Sequence, residues 1–296
     1  MPDKQEDNSA WFRGNVFAQG ILALATLAIT GIDLAADSPF PGISPVVWYD
    51  ASDAASLTGS TPVTQWNDKS GNGRNATSQS GAPALKSDSL NGLPIIEFRR
   101  AGGDDKFSVG GSAFFAKEHY YVFRSPTPTW NNLGGIFGHG ATRWSNYLFE
   151  NNNVNFHGNQ LPASVMKNGA SIDQPGNFNI FPIDQYMILQ VVVNDGSTGP
   201  HANYMLGAAD DLSVDIDLAE ALAFDSVLSQ ENRETMEGYL AHKWGLADKL
   251  PASHPHKDKS PITPPGLAPV ITSPKLSYAY PIPVGLAFRK VDANVS

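Results

Sequence analysis

Turn-forming residues interrupt this chain too often for long helices. There are 27 glycines and 22 prolines among 296 residues, about one residue in six. Glycine loses the most backbone freedom in a helix, and proline removes a helical hydrogen bond. A helical bundle is therefore excluded, and many short strands joined by turns are expected. Hydrophobic residues make up 41% of the chain, enough to fill a sizeable core and to argue against disorder through its bulk.

Charge and cysteine content narrow the function classes. Twenty Lys and Arg face 29 Asp and Glu, a formal net charge of -9, and no basic stripe stands out. That argues against a nucleic-acid partner, which would need clustered positive charge. Cysteine is absent, which removes disulfides, thiolate metal sites and cysteine nucleophiles together.

Between Pro45 and His256 the pattern is strand, turn, strand. Val46-Val47-Trp48-Tyr49, Val63-Thr64-Gln65-Trp66, Leu93 to Phe98 after Asn91-Gly92, Tyr120-Tyr121-Val122-Phe123 and Leu218 to Phe224 all read as strands. Met187 to Val193 is the most apolar run and is expected to be buried on both faces. One helix stands out, from about Gln230 to Trp244. Ser229 is its N-cap, Glu231 and Glu234 sit near its positive end, and Gly245 lies just past its end. Met236, Leu240 and Trp244 form one apolar stripe, which should pack on a sheet.

The two ends of this region carry a resemblance. Trp48-Tyr49-Asp50-Ala51-Ser52-Asp53 and Gln65-Trp66-Asn67-Asp68-Lys69-Ser70-Gly71-Asn72-Gly73-Arg74-Asn75-Ala76 resemble the opening of bacterial and phage laminin G-like domains. Leu218 to Phe224, Leu228-Ser229, Glu237-Gly238-Tyr239-Leu240-Ala241-His242-Lys243-Trp244-Gly245-Leu246 and Leu250-Pro251-Ala252-Ser253-His254-Pro255 resemble that family's closing strand, helix and exit loop. The likeness frames residues 46–257. Residues 100–215 follow it only in strand pattern, and the two ends of the chain lie outside it. It implies an all-β fold: a two-sheet antiparallel β-sandwich, the concanavalin A-like jelly roll, with one C-terminal helix. It also implies a glycan-binding or adhesive role, a step made by analogy.

Three kinds of site were weighed. Hydrolases of this fold carry a Glu-x-Asp-x-x-Glu strand, with carboxyls about 5 Å apart for retaining chemistry. No such motif occurs; Asp215-Ile216-Asp217-Leu218-Ala219-Glu220 comes nearest, and Glu220 reads as a paired, buried acid. No enzyme activity is expected. Asp68, Ser70, Asn72 and Asn75 place oxygens around glycines in a way that suits Ca²⁺, the one cofactor considered, although turn chemistry accounts for the same residues. His254-Pro255-His256 reads as an exposed pair without a third ligand. For a glycan, the mix of rings and amides in residues 129–160 is the candidate: Trp130, Asn131, Asn132, Arg143, Trp144, Asn146, Tyr147 and Asn151. The alternative is that both tryptophans fill the core and the Asn run forms a turn.

Three segments follow: residues 1–37, the domain at 38–257 and a tail at 258–296. Residues 14–32 are uncharged and just long enough to span a bilayer, yet polar at Asn15, Gln19, Thr26 and Thr30. They read as a signal or anchor, or, by preference, as an apolar arm that docks on a neighbouring subunit. The Pro-rich tail is apolar at Leu267, Val270, Ile271, Tyr278 and Tyr280, and reads as a tether or a second docking arm. The expected protein is therefore a non-enzymatic glycan-binding module on the surface of an assembly, most plausibly a phage virion decoration or fibre protein. Its partners would be a cell-surface glycan and other subunits. The alternatives are a structural plate without a ligand, or an exported bacterial surface protein anchored by residues 14–32.

Overall fold

The computed structural model describes residues 40, 42–126, 134–139, 149–150, 155–156, 162–172, 180–193, 200–209 and 212–262. All belong to one compact unit, residues 35–296. Two antiparallel sheets face each other, and one helix covers the outside of the larger.

Strands are numbered along the chain. The larger sheet contains β1 (Val47–Asp50), β5 (Ala84–Leu90), β6 (Leu93–Phe98), β8 (Glu118–Arg124), β12 (Ser164–Lys167), β13 (Ala170–Ser171), β14 (Met187–Val192) and β18 (Ile216–Phe224). Its order is β13-β12-β14-β8-β18-β6-β5. One side of β18 is shared: β6 pairs with Ile216 to Leu218, and β1 with Glu220 to Ala223. The smaller sheet contains β2 (Leu57–Gly59), β3 (Val63–Trp66), β4 (Ala76–Ser80), β7 (Lys106–Val109), β9 (Phe137–His139) and β15 (Tyr204–Leu206), in the order β2-β3-β4-β7-β15-β9. Two short hairpins join β10 (Phe149–Glu150) to β11 (Asn155–Phe156) and β16 (Ala208–Ala209) to β17 (Leu212–Ser213).

The central strands of the larger sheet, β14, β8 and β18, are buried on both faces, which explains their apolar runs. Tyr49, Trp66, Phe98, Phe107, Tyr121, Phe123, Leu189 and Leu206 meet between the sheets. Trp48, Tyr120, Val122, Ile188, Leu222 and Phe224 face outward into a second apolar layer under α1 (Gln230–Lys243). A bulge between Leu218 and Glu220 resets the alternation of β18. Leu218 faces the inner core, whereas Ala219 and Leu222 face the helix.

The helix forms as expected. The Ser229 side chain accepts from the Asn232 N–H at 3.2 Å, and Met236, Leu240 and Trp244 are fully buried. Gly245 follows in the left-handed region at φ +69°, and Asn91 Nδ2 donates to the last helical carbonyl, that of Lys243, at 2.9 Å. One expectation is corrected. His254 is buried, not exposed, because the exit loop folds back along the helix and seats its ring against Glu237.

Candidate functional site

The four Ca²⁺ candidates come together in one turn, where N–H and O–H donors occupy the side-chain oxygens of Asp68, Ser70 and Asn75. Asp68 Oδ1 accepts from the backbone N–H groups of Trp48 and Ser70, and its Oδ2 from Ser70 Oγ and the Arg74 N–H. Asn75 Oδ1 accepts from the Asp68 N–H, and Asn72 Nδ2 donates to the Val46 carbonyl. The turn thereby stitches β1 to the β3–β4 connection. The glycan candidates Trp130, Asn131, Asn132, Arg143, Trp144, Asn146, Tyr147 and Asn151 lie outside the described residues.

The two motifs that frame the domain meet in one buried charged centre. Glu220, fully buried, accepts from Trp48 Nε1 at 2.7 Å through one oxygen. Its other oxygen accepts from Trp244 Nε1 at 2.6 Å and Lys243 Nζ at 2.8 Å. Lys243 also reaches Asp50 Oδ1 at 2.8 Å, and Lys69 reaches Asp50 Oδ2 at 2.9 Å. Burial pushes the Asp50 carboxyl up, but the two ammonium groups and the hydrogen bonds from Lys243 and Ser52 outweigh it and bring it to about 2. Burial raises Glu220. The arrangement ties the helix to β1 and β18. Every oxygen of the two carboxyls is bonded within the fold.

The nearest thing to a catalytic strand is also neutralised. Asp217 is clamped by Arg99 at 2.6 Å and Arg124 at 2.8 Å, while Asp215 accepts from the Arg100 N–H.

A different carboxylate keeps an unused oxygen. Among the described residues six acids are buried: Asp50, Asp105, Glu118, Asp217, Glu220 and Glu237. The first five have both oxygens bonded. Glu237 Oε2 is bonded to His254 Nε2 at 3.1 Å, but Oε1 is buried with no partner. His254 Nδ1 accepts from the His256 N–H at 3.2 Å, so the ring proton sits on Nε2 and is donated to Glu237. Burial pushes the Glu237 carboxyl up to about 7, against the pull of Arg233 and with help from Glu234 and Glu118. Burial lowers His254.

This pair lines a cleft of about 140 Å³ between the first turns of α1, the β12–β13 hairpin and the exit loop. Gln230, Arg233 and Glu234 come from the helix, Met166 and Gly169 from the hairpin, and Pro251, Ser253 and Pro255 from the loop. The loop is held close because Gly238 has no side chain. A Cβ there would lie 2.5 Å from His256 Cβ. In the sequence Glu237 carried no site reading beyond the resemblance, and His254 read as half of an exposed His254-Pro255-His256 pair.

Comparisons with protein-family models, with curated proteins and with solved structures each return no match to this chain. Groups of three or more His, Asp or Glu side chains arranged to hold a metal are absent among the described residues. Nor does any described helix have the length and hydropathy to cross a membrane.

Proposed function

We propose that this protein is a non-enzymatic, glycan-binding or adhesive module of the laminin G-like type, carried on the surface of an assembly such as a phage virion. One observation carries the reading. The first described residue, Phe40, and the last, Ile262, pack into the same apolar layer, on the helix side of the larger sheet. Phe40 is clasped between Trp48, 5.3 Å away, and Tyr239, 4.9 Å away. A fold whose first and last described residues share one face suits a module attached by that face, with the smaller sheet and its loops turned outward. The charged centre gives such a module a rigid back, and five of the six buried acids among the described residues have both oxygens committed to internal bonds.

Residues 129–160 supply the glycan contacts in this reading, with Trp144 as the stacking platform and the neighbouring amides fixing hydroxyls. Trp144→Ala should abolish retention on an immobilised glycan that holds the parent chain and leave the melting transition nearly unchanged. Undiminished retention by the variant would remove that segment from the site.

A further inference from the structure

We infer that Lys243 and Asp50 become joined by a covalent side-chain amide, formed within the folded chain and assisted by Glu220 and Lys69. Proximity is the first argument. Lys243 Nζ stands 2.8 Å from Asp50 Oδ1 and 2.8 Å from Glu220 Oε2, so a nucleophile, an acyl group and a proton carrier meet at one atom. Well-oriented groups held together react as if at roughly 10⁵–10⁸ M. Dryness is the second. The side chains of Lys243 and Asp50 are only 7% and 5% exposed, that of Glu220 is fully buried, and the Tyr239 and Trp244 rings lie against the ammonium. A buried ion pair carries a desolvation cost that a neutral amide and a released water do not, so the site favours the condensed product.

The third argument is what surrounds the Asp50 carboxyl. Lys69 Nζ lies 2.9 Å from Oδ2, and Ser52 donates to Oδ1 through its backbone N–H and its hydroxyl. The two ammonium groups keep Asp50 ionised at rest. Glu220, whose carboxyl burial raises, takes one proton from Lys243 and passes it to Asp50 Oδ1, so that an amine faces a carboxylic acid. The amine lone pair attacks Cγ, and the C=O electrons move onto Oδ2, beside Lys69. The nitrogen gives a second proton to Oδ1, the Cγ–Oδ1 bond breaks, and one water leaves. Atoms and charge balance: an ammonium and a carboxylate become an amide and water. Glu220 suits the attack less well, because indole N–H groups hold both its oxygens and no second cation faces it among the described residues. The bond ties β1 to the last turn of α1 in a chain that has no cysteine for a disulfide. It stands whether or not a glycan is bound.

The test is the mass of the intact full chain, unfolded after purification, followed by a peptide map. The parent chain should be lighter than its sequence by one water, and digestion should release a branched peptide that contains Asp50 and Lys243. Lys243→Arg keeps the positive charge and should restore the full mass. Glu220→Gln should slow the bond about a hundredfold, read as the linked fraction against time after refolding. A parent chain of full mass after prolonged incubation in the folded state means an ion pair only and overturns the inference, with no variant needed. A lost water without the branched peptide, a loss that persists in Lys243→Arg, or an unslowed Glu220→Gln would overturn it as well.

Discussion

Lys243 shows how one residue can hold a motif together. Its ammonium is the shared partner of Asp50 and Glu220, both buried, and lies over the Tyr239 and Trp244 rings, 5.5 Å and 5.0 Å from their centres. Removing one member of a buried ion pair leaves an uncompensated charge, which costs roughly 3–5 kcal/mol. Lys243→Met should therefore destabilise the fold by that order in chemical denaturation. Adding Glu220→Gln to it should recover part of the loss, because the orphaned charge goes too. Strictly additive losses would show that the two groups are not coupled.

Glu237 titrates in the opposite sense to Asp50. Its folded carboxyl sits at about 7 against an ordinary 4.5, so the native state binds the proton more tightly than the unfolded chain does. That contribution is complete below 4.5 and is lost as pH rises through about 7. Glu237→Gln removes this slope. The stability advantage of the parent chain over the variant should shrink by up to about 3 kcal/mol between pH 4.5 and 8 in thermal melts. A constant difference across that range would contradict the burial argument. The acid side belongs to other groups. Burial pushes His119 down to about 4, and its contribution, present above 6.5, is lost as pH falls through that value.

At the scale of elements, the helix was the most legible part of the sequence. Its N-cap, its stripe at four-residue spacing and its terminal glycine agree with one another, so local and tertiary preferences point the same way. Ser229→Ala should cost about 1 kcal/mol through the lost cap, measured by denaturant unfolding, and no change would mean that the first turn is held by packing alone. Strands buried on both faces were legible as well. Tyr120 to Phe123 and Met187 to Val193 are apolar because one face meets the sandwich core and the other the helix. The strands that sequence reasoning did not name are polar or short. β5 is an edge strand with most of its Ala-Leu-Lys-Ser-Asp-Ser-Leu side chains exposed, and β4 reads Ala-Thr-Ser-Gln-Ser. Backbone pairing forms them, and pairing leaves little trace in side-chain chemistry.

The sites were less legible, for a related reason. Glu220 was readable as a buried acid from its neighbours, but its partners Trp48 and Asp50 lie some 170 residues earlier, across the sheet. His254 looked exposed because Ser-His-Pro-His resembles any polar loop. Only the fold-back over Gly238 brings it to Glu237. The opening and closing motifs are thus two halves of one structural lock.

For the molecule as a whole, the first and last described residues, Phe40 and Ile262, both pack on its helix-covered side. The account then requires that the opposite side be free to meet a glycan. The most direct measurement is the full chain, in its native oligomeric form, applied to a broad glycan array. The account predicts retention on a restricted set of related glycans with no release of reducing sugar. A blank array, or cleavage of the retained glycans, would contradict it.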